Sequence, residues 1–445
     1  MAHNDPNELT RREFLKATGA AAALVGAGMS LGPAEAQSST VSANEKIVLG
    51  FIGVAGQGSG LLNSFKSQPD VEIGAVCDVY EPHLLRAVEN AGGKAKAYGD
   101  FRELLEQKDI DAVVIATPPH WHPIQSIYAC QAGKDVYCEK PICNYPAEGK
   151  AMLKAAQENN RVTQVGTQVH ASENFRRAVE IVRSGALGKI ASVRVICTMN
   201  EYPGGLGMYE DSDPPPGLDW DMWLGPAPKV PFNRGRFEYG RHRYFKDYSG
   251  SWLHELGPHI VDLAFWAMEP GEPIATSASG GRFVADDISD IPDTMDVLWE
   301  FPDFTMSWIH TSCNSYNFGF GGPPDCGRRL GVMFHGSNGT LKADYGTHRV
   351  VSEGDRMADF QPPPKSIPSS PGHHREFLDS IKSRKDPSCS FAYHVPLSTA
   401  LNLGHVALNA GQKIYWDSQE GKIVGGRNLE RLAYPNYRRP WRLPR

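Results

Sequence analysis

The spacing of apolar and polar positions changes character once along this chain. Between Lys46 and Gly166, short apolar runs alternate with longer mixed stretches. The runs are Lys46 to Phe51, Val71 to Val76, Asp111 to Thr117, Asp135 to Cys138 and Val162 to Gly166. Runs that are short and apolar at nearly every position predict parallel strands covered on both faces, with helices between them. Beyond about residue 170 the period becomes two. Ile190 to Thr198 alternates as a half-buried strand. Asp296 to Phe301 and Phe304 to His310 flank Pro302-Asp303. Val332 to His335 and Thr340 to Ala343 flank a Gly-Ser-Asn-Gly turn. Both pairs read as hairpins. The predicted fold class is α/β: a doubly wound parallel sheet, then an α/β domain with an open, mainly antiparallel sheet. One face of such an open sheet packs on helices, and the other is available to a partner subunit.

The first 36 residues carry a different pattern. A basic start, an apolar stretch of small residues through Leu31 and Ala34-Glu35-Ala36 follow in the order of a secretory signal. Thr10-Arg11-Arg12-Glu13-Phe14-Leu15-Lys16 resembles the twin-arginine class of export signal. The apolar stretch falls short of the ~20 residues a spanning helix needs. An exported, periplasmic protein is expected, with the twin-arginine machinery as a partner. Retention through an uncleaved signal is the alternative.

Composition narrows the picture. The 445 residues exceed what one core organises, which predicts two domains after the signal. A net charge of −6 gives no basic footprint, so no nucleic-acid partner is expected. Eight cysteines without a CxxC pair form no disulfide framework and read as small buried residues.

The first apolar run ends in Gly53-Val54-Ala55-Gly56-Gln57-Gly58, and Leu61 to Phe65 then opens a helix. The second run ends at Asp78, twenty residues after Gly58. Strand, glycine turn, helix and strand-ending acid form a dinucleotide-binding fingerprint, in which the turn and the helix N-terminus approach the pyrophosphate. Ala55 stands where the pattern has its middle glycine. Asp78 is placed to accept from the ribose hydroxyls. A carboxylate there repels a 2′-phosphate, so NAD is expected over NADP. The third run ends in Thr117-Pro118-Pro119-His120-Trp121-His122-Pro123 and the fourth in Glu139-Lys140-Pro141. Ligands bind outside the carboxyl ends of parallel strands, so these segments share one side.

With those motifs in that order, the chain resembles the glucose-fructose oxidoreductase / inositol dehydrogenase / rhizopine catabolism superfamily. Asp219-Trp220-Asp221-Met222-Trp223-Leu224-Gly225-Pro226 and Ser251-Trp252-Leu253-His254-Glu255-Leu256-Gly257-Pro258-His259 carry the likeness into the second half. The resemblance implies a Rossmann NAD-binding domain at 37–169 and a substrate-binding and oligomerisation domain at 170–445. It makes Lys140 the lysine beside the nicotinamide and the substrate hydroxyl, with Glu139 as its neighbour. His259 becomes the general base, Glu255 takes the place of the family's aspartate, and Gln168 falls near the nicotinamide amide. Gly53, Ala55, Gly56, Gly58, Asp78, Thr117, Pro118, His120 and His122 complete the cofactor set. A homo-oligomer through the C-terminal sheet is also implied.

The chemistry fits these residue types. Oxidising a sugar hydroxyl requires a base near neutral pH for the O–H proton and a cation for the developing alkoxide. Glu255 and His259 are four apart and share a face if the helix already includes Glu255. If it starts at Pro258, His259 is an ordinary helix-start residue. His254-Glu255 with His259 does not have the spacing of a zinc-binding HExxH, and no metal is expected. The aromatic, Gly- and Pro-rich stretches Asn200 to Asp219 and Asn314 to Asp325 suit sugar recognition or an interface. Three functions stay open. The first is a sugar oxidoreductase with a tightly held, self-recycled cofactor. The second is a redox-neutral NAD-dependent glycosidase, for which His254-x-Leu256-Gly257-Pro258 makes His254 a second candidate base. The third is a non-catalytic sugar-binding protein.

Overall fold

The five apolar runs and one short, largely exposed edge strand form one parallel sheet: β1 (Ile47–Ile52), β2 (Val71–Cys77), β3 (Lys96–Tyr98), β4 (Ala112–Ile115), β5 (Asp135–Cys138) and β6 (Thr163–Val165), with β3 the strand the apolar pattern did not predict. The order is β3-β2-β1-β4-β5-β6, and every pairing is parallel. Burial accounts for the unbroken apolar runs: all four residues of β4 and all four of β5 are buried. Separate apolar cores line the two faces of the sheet. This is a computed structural model, and it describes residues 46–202, 204–316, 318–320 and 328–444. The export signal expected at 1–36 lies outside the described residues, as do 317 and 321–325 of the loop expected to end at Asp325.

The order of the strands reverses between β1 and β4. Their carboxyl ends open a crevice there, the usual ligand position in a doubly wound sheet. The helix leaving the glycine turn spans Gly56–Lys66, so it starts five residues before the Leu61 expected from apolar spacing. The turn itself is its first turn.

The second sheet is built around Ile190–Asn200. Arg329–Gly336 pairs with it antiparallel on one side and Thr305–Thr311 parallel on the other. Antiparallel neighbours extend it through Gly339–Asp344 and His348–Ser352 in one direction. In the other direction follow Thr294–Glu300, Ala275–Gly281, Ile414–Asp417 and Lys422–Val424. The expected period of two is visible in Thr294–Glu300, where Met295, Val297 and Trp299 are buried and the residues between them are not. Trp299 also donates its indole N–H to the Ala400 carbonyl at 2.7 Å, which satisfies the polar end of a fully buried ring.

Two C-terminal helices join the layers. His373–Ser383 places Phe377 and Leu378 in a core of the parallel sheet. Phe391–Ala410 contributes Phe391 and Val395 to that sheet's other core, and Leu397, Ala400 and Leu401 to the core of the second sheet. Against it packs the helix Trp252–Met268, which carries the predicted site residues. Contact is close at Gly257, where a Cβ would lie 2.7 Å from a methyl of Leu401. Pro258 lies inside this helix and does not begin it. The seven described cysteines are unpaired, and all but Cys313 are buried.

Candidate active site

The glycine turn is fixed by contacts that a side chain would break. Gly53 has φ +81°, and a Cβ there would meet the Thr117 backbone nitrogen at 2.7 Å. At Gly58 a Cβ would lie 1.9 Å from the Gly53 carbonyl oxygen. Ala55 is different. Its φ of −79° and ψ of 175° are open to any residue, so the departure from glycine costs no strain. The helix that follows has no side-chain cap and no acidic residue in its first turn. Its N-terminal N–H groups therefore face the crevice as an anion-binding end. Asp78 accepts from the Val54 N–H at 3.0 Å and the Tyr80 N–H at 3.0 Å. The carboxylate is thereby set beside the turn, with lone pairs left for ribose hydroxyls. These residues fit a dinucleotide.

Across the crevice the strand-end motifs divide by role. Glu139 is buried. It accepts from the Gln57 side chain at 3.0 Å, which ties it to the glycine-turn helix, and burial raises its pKa. Lys140 Nζ donates to Glu255 Oε2 at 2.9 Å and to the Glu255 carbonyl at 3.1 Å. Glu255 is 2% exposed and also accepts from the Ser249 hydroxyl at 2.9 Å. Arg243 Nε completes its shell at 3.2 Å. Burial alone would raise the Glu255 pKa, but the charges of Lys140 and Arg243 outweigh it and hold the carboxyl well below its ordinary range.

His259 lies one helical turn beyond Glu255, on the same face. It is partly exposed and makes no hydrogen bond among the described residues. Burial, with Lys140, Arg328 and Arg243 nearby, pushes its pKa well below the ordinary histidine value. A neutral imidazole with a free nitrogen beside an ammonium is equipped to take a proton from a hydroxyl.

Other predicted residues are turned elsewhere. His254 Nε2 lies 2.9 Å from the Asn402 side-chain oxygen and Nδ1 lies 3.2 Å from the Ser251 hydroxyl, so its ring is committed to packing against Phe391–Ala410. Five residues along a helix turn a side chain through about 500°, which puts His254 off the His259 face. His122 is held between two carbonyl oxygens, those of Pro141 and Thr117, each 2.7 Å from a ring nitrogen. His120 Nε2 is 3.0 Å from the Trp223 carbonyl. Both rings are buried and brace the loops; both nitrogens of His122 are taken, whereas His120 Nδ1 is enclosed without a hydrogen-bond partner among the described residues. Thr117 donates its hydroxyl to Gln125 at 2.7 Å, so its backbone faces the turn. Pro118 borders the crevice partly exposed, and Gln168 is exposed at the start of the 3-10 turn Gln168–Ala171 that follows β6. Sequence reasoning missed Gln57, Ser249 and the pairing of Arg243 with Glu255. Arg243 sits in a short 3-10 turn, Arg241–Tyr244, with no periodic signal to mark it.

A Rossmann sheet and an uncapped glycine turn form a dinucleotide-binding fold, and a lysine–carboxylate–histidine group lies across its crevice. The comparisons agree. Residues 47–167 match the model of the oxidoreductase family with an NAD-binding Rossmann fold. Residues 174–273 match its C-terminal alpha/beta domain, and 229–342 match the GFO/IDH/MocA C-terminal domain. The chain belongs to the GFO/IDH/MocA oxidoreductase family, and its Rossmann half is an NAD-binding domain. Residues 8–28 match the twin-arginine translocation signal. An alpha-N-acetylgalactosaminidase of Shewanella oneidensis is 29% identical over 208 residues, 41% of this chain and 45% of that protein. Inositol 2-dehydrogenase of Salmonella typhimurium is 28% identical over 167 residues, 36% of this chain and 50% of that one. The chain thus spans about half the length of the curated relatives it matches. Among solved structures, the WlbA dehydrogenase of Bordetella pertussis with NADH and UDP-GlcNAcA has a TM-score of 0.62 at 18% identity, covering 84% of this chain and 99% of that one. Levoglucosan dehydrogenase with NADH and L-sorbose has a TM-score of 0.60 at 19% identity, covering 83% and 99%. These likenesses are of fold. No helix of the described residues is long and apolar enough to cross a membrane.

Proposed function

We propose that this protein is an exported, periplasmic oxidoreductase that removes hydride from a hydroxyl-bearing carbon of a sugar and keeps its NAD between turnovers. The observation that carries the reading is the Lys140–Glu255 pair at 2.9 Å with an uncommitted, neutral His259 on the same helix face. Bound NAD supplies the hydride acceptor. His259 takes the hydroxyl proton as the C–O bond gains double-bond character. Lys140 donates to the substrate oxygen and stabilises the charge developing on it. Glu255 fixes the Lys140 ammonium, and Arg243 keeps that carboxylate ionised. The export signal supports a captive cofactor, because a protein that leaves the cytoplasm must carry its nicotinamide and restore it with a second substrate. The twin-arginine machinery and a homo-oligomer built on the outer face of the second sheet belong to the same proposal, as do domain limits near 37–169 and 170–445.

The likeness to an alpha-N-acetylgalactosaminidase supports a second reading, a redox-neutral glycosidase that returns the hydride to the same sugar. Because His254 is committed to Asn402 and Ser251, the base in that reading is also His259. The Lys140–Glu255–His259 group argues against a third, non-catalytic sugar-binding reading.

One experiment separates them. The purified protein is denatured and the released nicotinamide nucleotide is quantified with its redox state. Para-nitrophenyl glycosides and free sugars are then assayed with no added NAD. Oxidised free sugar with reduced nucleotide on the protein is the expected result. Glycoside turnover without net reduction establishes the glycosidase instead. Either activity must fall in Lys140→Ala and His259→Ala. A protein that neither releases nor takes up nucleotide sinks both readings.

A further inference from the structure

The segment from Gly217 to Arg243 crosses the crevice and is tied down on both sides. On the ribose side the Glu81 N–H donates to the Gly217 carbonyl at 2.9 Å, and the Asp219 N–H donates to the Val79 carbonyl at 3.0 Å. Phe237 packs edge-on against Tyr80 with ring centroids 5.5 Å apart. These contacts lie one to three residues past Asp78. On the catalytic side Arg243 pairs with Glu255. Between the two anchors the Tyr239 ring lies directly on the glycine turn. A Cβ built on Gly56 would fall 1.8 Å from a Tyr239 ring carbon. The Arg243 guanidinium lies 6.0 Å from the centre of the same ring. Tyr239 is nonetheless 57% exposed, so its outer face meets solvent. Gly240 follows with φ +81°, a conformation that glycine adopts without strain and that lets the chain turn sharply after the tyrosine.

We infer that residues 217–243 form a strap that retains the dinucleotide, with Tyr239 as its contact over the pyrophosphate stretch. The inference rests on the NAD-retaining reading above. Gly56 begins the helix whose N-terminal N–H groups receive the phosphates, so a ring seated on Gly56 stands on the path into and out of that position. Exposure of the ring leaves it free to lift by its own thickness and settle on a bound nucleotide. The anchors on both sides keep it from swinging away. A strap of this kind slows release more than binding, because it acts on a cofactor already seated.

The test measures exchange, not turnover. Full-length protein is loaded with NADH and its loss is followed by fluorescence during a chase with excess NAD. In Tyr239→Ala the dissociation rate should rise about tenfold or more, and in Tyr239→Phe it should stay close to wild type, since the ring and not the hydroxyl does the covering. Thermal melting of the nucleotide-free proteins should coincide, because the removed ring is mostly exposed. Unchanged dissociation in Tyr239→Ala overturns the strap, as does faster association with unchanged release, which would make the ring only an obstacle to entry. If wild-type protein itself takes up no NADH, the cofactor reading falls, an outcome distinct from a strap that fails in a protein that binds.

Discussion

The glycine turn and the charged pocket face each other across one crevice and are built by opposite means. The turn is a single run of six residues whose working groups are backbone N–H donors. Its requirements are steric: at Gly53 and Gly58 nothing larger than hydrogen fits. The pocket gathers Lys140 from a strand end, Arg243 from a short loop helix, Ser249 from the next, and Glu255 and His259 from a long helix. Its requirements are electrostatic: a carboxylate that is 2% exposed tolerates burial only because two cations and a hydroxyl surround it. The turn therefore should fail through shape, and the pocket through charge and proton position.

The sharpest way to break that division is to change two histidines on one helix. His259→Gln removes the uncommitted nitrogen and should lower kcat by roughly 10²- to 10⁴-fold with little change in melting temperature. His254→Ala strands the Asn402 oxygen in a buried site and should cost about 1–3 kcal/mol of stability, while folded protein keeps its turnover. Steady-state kinetics and thermal melting on both variants check this. A His254 variant that folds normally and loses turnover would restore it as the base.

The same contrast governs what the sequence discloses. The glycine turn is legible because all its parts lie within one strand–turn–helix, and Asp78 sits at a fixed distance. The reading erred only on the helix start, since Gly56 and Gly58 break the apolar spacing while still adopting helical geometry. In the pocket, Lys140 and His259 are found through the family resemblance, and the four-residue spacing of Glu255 and His259 places them together. Pro258 misleads, because proline usually marks a first turn, yet here the helix begins six residues earlier at Trp252. His254 misleads because its neighbours in sequence face the crevice while its own contacts in space, Asn402 and Ser251, do not belong to the proposed site. Arg243 lies in a polar and aromatic stretch, Arg241 to Tyr244, whose composition suits a sugar, but its pairing with Glu255 and the place of Tyr239 gave no signal. Both residues reach the site through a loop path that no period encodes.

On the other side of the crevice the comparison predicts a shape effect. Gly58→Ala puts a methyl 1.9 Å from the Gly53 carbonyl oxygen, a backbone atom that cannot rotate aside. Forcing that contact should cost about 1–3 kcal/mol and abolish tight nucleotide retention, since the turn must open to relieve it. Ala55→Gly is the control. Residue 55 already has an extended backbone, so the change should alter stability by less than about 1 kcal/mol and leave nucleotide uptake intact. Melting temperature and bound nucleotide per protomer report both. If the two variants behave alike, the turn is not held by close approach.

The smallest expected effect is a shift of pH dependence in the pocket. The His259 pKa is held below its ordinary value by burial and by the Lys140, Arg328 and Arg243 charges, so the base stays neutral as pH falls through the usual histidine range. The acid limb of kcat/KM should then lie below about 6.5, the unperturbed value. Because the folded-state pKa is lowered, stability from the neutral ring is present above that unperturbed value and is lost as pH falls through the folded one. Glu255, also lowered, adds a loss of the same sign at lower pH. Arg243→Gln removes one cation that disfavours the imidazolium while leaving Lys140 on Glu255. Its acid limb should therefore move up toward the ordinary histidine value, with the plateau rate reduced less than in His259→Gln. A limb that stays in place or moves further down would mean that Arg243 does not act on His259 through charge.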